Sequence, residues 1–279
     1  MSEPGNEIRG QIRDMVIERG RGIEAHGENH WGHLLSESDI DRFATVISWL
    51  PASGGTLLDV GTGTGVVPDI AAKLGFHATG VDTDARAMAA MDSPHQVASI
   101  ADLPFEDASF DVVVVSEVWE HLPVGVFERA RAEVARVAKS TVVATAPNAE
   151  SLESASTRCS QCGCVYSIHG HVRSLTKQDM AELLPEWQMA KSAQFGPFKV
   201  RHRSVEWYIR RRLLGRWPAQ PGAQCPQCHY IQPGELRLSE FGTSGGVRRA
   251  VRTIAGFPWQ RWWRIARYDR PASAQSPRP

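Results

Sequence analysis

The sequence predicts an α/β protein built on a doubly wound, mainly parallel β-sheet. Between residues 56 and 146, short apolar runs of strand length alternate with segments of helical periodicity. The strand-like runs are apolar almost throughout, which is typical of strands covered by helices on both faces. The chain has 279 residues, of which 42% are hydrophobic and 22% are charged, so it can form one large domain with a smaller addition.

The first predicted elements are helices, and a buried strand follows them. Residues 5–50 carry two amphipathic helical patterns, and Ser36 with Asp39 resembles a capping box at the start of the second. Residues 51–55 form a turn cluster, and residues 56–60 are an apolar run that ends at glycines. The pattern then predicts, in order, a helix at 66–74, a strand at 77–81, a helix at 85–91, a strand at 96–100, a strand at 110–115, a helix at 124–138 and a strand at 141–146.

The regular alternation ends after Pro147. The later sequence predicts a helix at 176–184, a strand at 187–195 and an Arg-rich helix at 205–214. Residues 271–279 are rich in Pro, Ser and Ala, which is typical of a disordered tail. No run of about 18 apolar residues is present, and the N-terminus is charged, so we expect a cytoplasmic protein.

A glycine-rich loop follows the first strand. Asp59 lies near the end of that strand, and Gly61, Gly63 and Gly65 come at alternate positions before the next helix. Glycines there allow a sharp turn and a close approach of the backbone to a ligand at a helix N-terminus. The dinucleotide-binding fingerprint would need glycine at position 66, where this chain has Val66, so the loop does not fit that fingerprint.

Residues 56–148 resemble the class I S-adenosylmethionine-dependent methyltransferases, in their small-molecule branch. The resemblance rests on four motifs in order: the glycine loop, the strand ending at Asp82, the stretch 101–105, and the fourth strand at 109–115 with the segment 116–122 after it. In that family the first motif cradles the methionine part of the cofactor. The resemblance implies this function for Asp59, Gly61, Thr62, Gly63 and Gly65.

The other motifs imply further cofactor contacts. Asp82, followed by Thr83, stands where the family places a carboxylate that accepts hydrogen bonds from both ribose hydroxyls. Asp102 and Leu103 stand in the third motif, where a carboxylate receives the adenine amino group and the next residue makes a backbone contact. The resemblance therefore implies S-adenosylmethionine as the cofactor and a seven-stranded, mainly parallel sheet.

Two titratable residues after the fourth strand are candidates for catalysis. Methyl transfer is an in-line displacement at a sulfonium, so a general base is needed only when the acceptor must lose a proton. His121 is the better candidate base, because its ordinary pKa lies near neutral pH. The alternatives are that His121 lines the pocket without titrating, and that Glu117 contacts the cofactor instead of taking part in catalysis.

Four cysteines form two Cys-x-x-Cys pairs, Cys159 with Cys162 and Cys225 with Cys228. Each pair can place two thiolates on one face of a tetrahedral Zn²⁺, so the sequence predicts a structural zinc site. The fold must bring the pairs together, since 62 residues separate them. A redox function and a catalytic zinc are the rival interpretations. Four other residues are substitute ligands: Cys164, His169, His171 and His229.

The stretch 162–174 also resembles a subset of bacterial methyltransferases that carry a zinc knuckle after the fifth strand and a second Cys-x-x-Cys downstream. Members of that subset often act on small molecules or envelope glycans. The resemblance implies that His171 and Arg173 flank the active-site cleft, where they can touch the substrate.

The charge of the chain is uneven although its net charge is zero. From Gly196 onward there are 15 Arg and one Lys against three Glu and one Asp, a net charge of +12 that leaves −12 on the preceding residues. This basic segment either attracts the rest of the chain or binds a phosphate-bearing, lipid-linked or nucleic-acid substrate.

Residues 260–268 allow a peripheral membrane helix. We favour instead the antiparallel strand that closes the sheet in class I methyltransferases, which would pair with residues 187–195 and leave its Arg side chains solvated.

The sequence thus divides into seven segments: a helical lid at 1–50 that contains the group His26, His30, Trp31 and His33, a cofactor-binding core at 51–148, a first zinc knuckle at 149–175, a helix and strand of the core at 176–195, an Arg-rich insertion with the second knuckle at 196–255, the last strand at 256–270, and the tail at 271–279. A surface loop is the alternative to the lid.

The expected acceptor is a small molecule or a glycan- or lipid-linked compound. An RNA base methyltransferase and a non-catalytic S-adenosylmethionine-binding partner protein are the alternatives.

Overall fold

The computed structural model describes residues 3–25, 37–153, 156–200, 211, 213–215, 217, 223–232 and 259–271. The histidine-rich group at 26–33, Ser36 of the predicted capping box, most of the predicted helix at 205–214 and the tail after residue 271 lie outside the described residues.

Nine strands are described: β1 (Gly55–Val60), β2 (Phe76–Asp82), β3 (His95–Val97), β4 (Phe110–Ser116), β5 (Ala138–Pro147), β6 (Ser156–Arg158), β7 (Val165–Ser167), β8 (Gln188–Val200) and β9 (Trp259–Asp269). Seven of them form one sheet in the order β3-β2-β1-β4-β5-β9-β8. The first five in this order are parallel to one another, and β9 runs antiparallel to both of its neighbours. The predicted seven-stranded, mainly parallel sheet is confirmed. Strands β6 and β7 form a separate antiparallel pair.

Helices cover both faces of the sheet: α1 (Glu3–Ala25), α2 (Glu37–Ser48), α3 (Val66–Lys73), α4 (Val124–Val137) and α5 (Lys177–Ala181). Alternate strand residues point to opposite faces. Leu57 and Val112 belong to the apolar core with α1, α2 and α3, and Leu58 and Val113 belong to the core with α4. Among the described residues, no helix is long and apolar enough to cross a membrane. The lid function of residues 1–50 stays a prediction.

The helix expected at 85–91 is wrong, because only a short 3-10 helix at Ala87–Ala90 forms there. The carboxylate of Asp84 accepts a hydrogen bond from the Arg86 N–H at 3.0 Å, so a local turn competes with a helix. After this turn, the backbone N–H groups of Asp92 and Ser93 bind the carboxylate of Asp69 on α3. These contacts carry the chain back to the sheet within a few residues.

The C-terminal segment is a strand, as favoured from the sequence. Strand β9 lies between β5 and β8, and its partners on β8 include residues of the predicted strand at 187–195. The expectation that all its Arg side chains are solvated is wrong for Arg264, which is 7% exposed. Its guanidinium donates to Asn148 Oδ1 at 3.2 Å and to Ser192 Oγ at 3.4 Å, so neighbouring segments cover it, whereas Arg261 on the same strand is exposed.

A buried ion pair joins α1 to the glycine loop. The Arg19 guanidinium contacts the Asp69 carboxylate and donates to the Thr64 carbonyl oxygen at 2.5 Å. The side chains of Arg19 and Asp69 are 7% and 1% exposed. The pair therefore fixes the N-terminal helix against the start of α3 and against the loop that precedes it.

We expect Arg19→Met to lower the free energy of unfolding by about 3–5 kcal/mol, because it leaves the buried Asp69 carboxylate without its cation. Arg13→Met is the matched control, since the Arg13–Glu37 pair is exposed and such pairs contribute about 0–1 kcal/mol. Urea denaturation of both variants measures the difference. Equal losses in the two variants would contradict the expectation.

Candidate functional site

The glycine loop is held against the end of β2. The N–H groups of Gly61 and Thr62 both donate to the Val81 carbonyl oxygen, at 2.8 and 3.0 Å. Gly61 has a φ of +73°, and a Cβ atom placed on it would lie 2.3 Å from Val118 Cγ2. Position 61 therefore requires glycine both for its backbone conformation and for the close approach of the segment after β4.

The last glycine of the loop meets a different neighbour. Gly65 has a φ of +75°, and an added Cβ would lie 2.1 Å from Met91 Cγ. Helix α3 begins at the next residue, so the loop leads directly into a helix N-terminus. Such an end presents backbone N–H groups and a positive partial charge to a ligand.

Asp59 lies beneath the loop and is 3% exposed. Its carboxylate accepts a hydrogen bond from Thr62 Oγ1 at 2.7 Å. Burial raises the pKa of Asp59 to about 7, and the nearby negative charge of Asp82 adds to this effect. Asp59 therefore changes its protonation state near neutral pH.

We expect Asp59 to make the free energy of unfolding fall as pH rises from about 4 to about 7. In this window the unfolded carboxyl, with an ordinary pKa of 3.8, has lost its proton, whereas the folded one retains it. The slope from this one group is about 1.4 kcal/mol per pH unit, and it vanishes above and below the window. Urea denaturation of the cofactor-free protein at several pH values measures it.

The matched variant is Asp59→Asn, which keeps an oxygen that can accept the Thr62 hydrogen bond but does not titrate. The part of the slope that belongs to Asp59 should be missing from this variant. If the two proteins show the same pH dependence, the raised pKa of Asp59 is wrong.

The carboxylate of Asp82 connects β2 to the glycine loop. One oxygen accepts the Gly63 N–H at 2.9 Å, and the other accepts the Asp84 N–H at 3.0 Å. Each carboxylate oxygen can accept a further hydrogen bond. Asp82 is half-buried and Thr83 is exposed. The glycine loop and the Asp82 carboxylate, which are both predicted to bind the cofactor, thus lie in direct contact.

Asp102 and Leu103 follow β3, and the Asp102 side chain is exposed. The backbone contact implied for Leu103 is already made within the protein. Its N–H donates to Glu133 Oε2 at 2.7 Å, and its carbonyl oxygen accepts from Arg136 Nη2 at 3.0 Å. A cofactor contact through this N–H would have to displace Glu133.

Glu117 follows the end of β4 and is half-buried. It has a φ of +58°, a left-handed conformation that is uncommon for a residue other than glycine. Its Oε1 accepts a hydrogen bond from Thr145 Oγ1 at 2.9 Å. Burial raises the pKa of Glu117, while Arg42 and the Thr145 hydrogen bond oppose the shift. Strained backbone of this kind concentrates at functional sites.

Glu120 is a residue that the sequence reasoning missed. It is 1% exposed, and neither carboxylate oxygen has a hydrogen-bond partner among the described residues. Burial, and then the negative charge of Glu117, raises the pKa of Glu120 well above its usual range. The available signal was its spacing, three residues after Glu117 and one before His121, which places three titratable groups within a short stretch of the chain.

His121 and His171 come together although 49 residues separate them in the sequence. The two rings lie edge to face with their centroids 4.7 Å apart. His121 is exposed, and His171 Nδ1 is bonded to the Glu150 carboxylate. The Arg173 guanidinium lies on the Phe127 ring and donates to a backbone carbonyl, so this side chain is already engaged within the protein.

The two Cys-x-x-Cys pairs also come together. The Sγ–Sγ distances are 3.5 Å for Cys159–Cys228 and 3.6 Å for Cys162–Cys225, and all four sulfurs lie within 4.8 Å of one another. These distances are far longer than a disulfide bond and close to the separation of about 3.8 Å expected for thiolates around one Zn²⁺. Cys164 lies outside this group of four.

Residues 58–146 match a protein family described as a methyltransferase domain. Two curated relatives, the ubiquinone biosynthesis O-methyltransferases of Paraburkholderia xenovorans (strain LB400) and Paraburkholderia phytofirmans (strain DSM 17436 / LMG 22146 / PsJN), are each 31% identical over 91 residues, which is 28% of this chain and 39% of the relative. The chain thus spans well under half the length of these relatives. The crystal structure of a SAM-dependent methyltransferase from Archaeoglobus fulgidus is 14% identical with a TM-score of 0.53, covering 86% of this chain and 97% of that one.

Proposed function

We propose that this chain, which has the class I methyltransferase fold and matches the methyltransferase-domain family over residues 58–146, transfers a methyl group from S-adenosylmethionine to an O, N or C atom of its acceptor. One observation carries the proposal. The Asp82 carboxylate and the Gly63 N–H are bonded at the carboxyl ends of β1 and β2, where open α/β sheets bind ligands. The acceptor that we propose is a small molecule or a glycan- or lipid-linked compound.

The hydrogen-bonding groups at this edge fit the cofactor. The Asp82 oxygens retain acceptor capacity for two ribose hydroxyls after binding their backbone partners. Gly61 and Gly65 keep the loop free of side chains where it approaches its neighbours. Asp102 is exposed and can accept a hydrogen bond from the adenine amino group. We propose cofactor contacts by this loop, including Asp59, Thr62 and Gly63, by Asp82 with Thr83, by Asp102, and by Glu117. We propose a contact by Leu103 as well, which requires its N–H to leave Glu133.

S-adenosylmethionine supplies the electrophilic methyl group, and the protein supplies alignment and a dry site. In our proposal the half-buried Glu117, fixed by Thr145, orients the reacting groups. His121 is the exposed group that can take a proton from the acceptor.

The comparison that favours an oxygen acceptor is the likeness to the two ubiquinone biosynthesis O-methyltransferases. It covers only 28% of this chain and 39% of the relative. The acceptor pocket in this fold is built by other segments, so the acceptor has to be found by experiment.

We also propose that Cys159, Cys162, Cys225 and Cys228 hold a structural Zn²⁺. The four sulfurs fit a closed tetrahedral shell, which leaves no open position for catalysis. The ion would join residues 156–167, which contain β6 and β7, to residues 223–232. Cys164 and the histidines named as substitutes are not needed for this set.

Calorimetry with S-adenosylmethionine and S-adenosylhomocysteine tests the cofactor proposal. We expect saturable 1:1 binding of both compounds, and no binding of either would overturn it. A screen of hydroxylated, amine and glycan-linked acceptors, with formation of S-adenosylhomocysteine as the readout, separates an enzyme from a protein that only binds the cofactor.

A further inference from the structure

One carboxylate and two imidazoles meet beside the proposed methyl-transfer site. We propose that Glu120, His121 and His171 bind a divalent cation, and that this ion holds the acceptor through a hydroxyl oxygen. This inference deepens the proposed function and rests on it, because it specifies O-methylation of a hydroxylated acceptor. The ligand atoms of the three residues all lie within 4.8 Å of one another.

The first proposed ligand is the buried carboxylate of Glu120. Neither of its oxygens has a partner among the described residues. Burial of a carboxylate without a partner is strongly unfavourable, so such groups are normally paired with a cation or coordinate a metal. A cation between Glu120 and the two imidazoles would supply the missing partner.

The second proposed ligand is the His171 ring, which is already oriented by a carboxylate. One of its ring nitrogens is bonded to the Glu150 carboxylate. Metal-binding histidines almost always donate their second ring N–H to a carboxylate, a carbonyl or water, which fixes the tautomer and directs the other nitrogen at the ion. Glu150 therefore gives His171 the arrangement of a metal ligand.

The backbone holds the three ligands in place. The Glu120 carbonyl oxygen accepts hydrogen bonds from the N–H groups of Val172 and Arg173, at 2.8 and 3.3 Å. These bonds fasten the segment that carries His171 to the segment that carries His121. Ligands of one ion at about 2.0–2.2 Å lie about 3–4 Å apart, and the three ligand atoms already lie within 4.8 Å of one another.

The group lies next to the glycine loop. Val118, two residues before Glu120, packs directly on Gly61, where an added Cβ would lie 2.3 Å from Val118 Cγ2. An ion bound after β4 would therefore lie at the same sheet edge as the proposed cofactor site. This location suits an ion that positions the acceptor rather than one that only stabilises the fold.

Two imidazoles and one carboxylate suit ions such as Mn²⁺, Fe²⁺ or Zn²⁺ and leave coordination positions open. With the ion bound, His121 is a ligand and no longer the general base. A hydroxyl that binds in an open position has a lowered pKa and gives its proton to solvent water instead of to His121. The acceptor oxygen then forms a bond to the methyl carbon while the carbon–sulfur bond breaks. The electron pair of that bond stays on sulfur, so the sulfonium becomes the neutral thioether of S-adenosylhomocysteine.

Titration of the whole purified chain with Mn²⁺, followed by the electron paramagnetic resonance of free Mn²⁺, tests the site without any acceptor. Mn²⁺ is the probe because thiolates bind it poorly, so the four-cysteine group does not compete. We expect one equivalent to bind, and we expect Glu120→Gln and His171→Asn each to weaken this binding at least tenfold. His77→Asn is the matched control, since His77 is an exposed histidine at the opposite end of β2.

Circular dichroism and S-adenosylmethionine calorimetry on the same variants show that the fold and the cofactor site are intact. Retained cofactor binding with lost Mn²⁺ binding supports the inference. A wild-type chain that binds the cofactor but no Mn²⁺ overturns it, as does Mn²⁺ binding that survives both substitutions. Absence of cofactor binding would instead overturn the proposed function, so the two failures are distinguishable.

Discussion

Replacement of Asp82 by alanine should weaken the binding of S-adenosylmethionine about 100-fold or more. In the proposed site the carboxylate accepts two hydrogen bonds from the ribose, and hydrogen bonds to a charged group contribute about 1.5–3 kcal/mol each. A loss of about 3 kcal/mol corresponds to roughly a hundredfold rise in Kd. The same carboxylate also holds the Gly63 N–H at 2.9 Å, so the loop loses an anchor as well.

Asp84→Ala is the matched control for this experiment. It removes the same charge two residues away, and the bond that connects Asp84 to Asp82 is made by its backbone N–H, which the substitution keeps. Calorimetry should show a Kd close to that of the wild type for Asp84→Ala. A Kd for Asp82→Ala within about threefold of the wild type would rule out the carboxylate as the ribose ligand.

Cys225→Ser should reduce the zinc content from one ion per chain to nearly none. Cys225 is fully buried, and its sulfur lies 3.6 Å from Sγ of Cys162, which belongs to the other cysteine pair. Structural Zn²⁺ contributes about 10–16 kcal/mol to the folding of small zinc-binding peptides, so loss of the ion should release residues 223–232 from β6 and β7. Metal analysis and limited proteolysis measure the two effects.

Cys164→Ser is the control, because Cys164 is a nearby thiol outside the group of four. It should retain one zinc ion and the proteolysis pattern of the wild type. Undiminished zinc in Cys225→Ser, or loss of zinc in Cys164→Ser, would show that the ligand set is wrong. A chelator added to the wild-type protein should reproduce the Cys225→Ser pattern.

The parallel core was predictable because its signals are local. Apolar runs of strand length and the glycine loop specify β1, β2, β4 and β5 without knowledge of distant contacts. The helix at 85–91 failed for the opposite reason. Its apolar spacing fits a helix, but the Asp69 carboxylate, more than 20 residues away, binds the N–H groups of Asp92 and Ser93 and draws the chain out of a helical path.

The burial of Arg264 was also missed, because exposure is decided by neighbours rather than by residue type. Arg261 and Arg264 lie on the same inner strand, yet only Arg264 is buried, where it binds Asn148. The sequence predicted the strand but not which of its arginines the neighbouring segments cover.

The sequence and the tertiary structure each decide a different part of the proposed site. The sequence by itself determined the glycine loop, the carboxylate of Asp82 and the two cysteine pairs, because these depend on residue type and on spacing over a few positions. Only the tertiary structure decided that the cysteine pairs meet, and that Glu120, His121 and His171 share one location. The physical reason is that contacts between residues about 50 or more positions apart depend on how the sheet and its loops pack, and no local pattern encodes that packing.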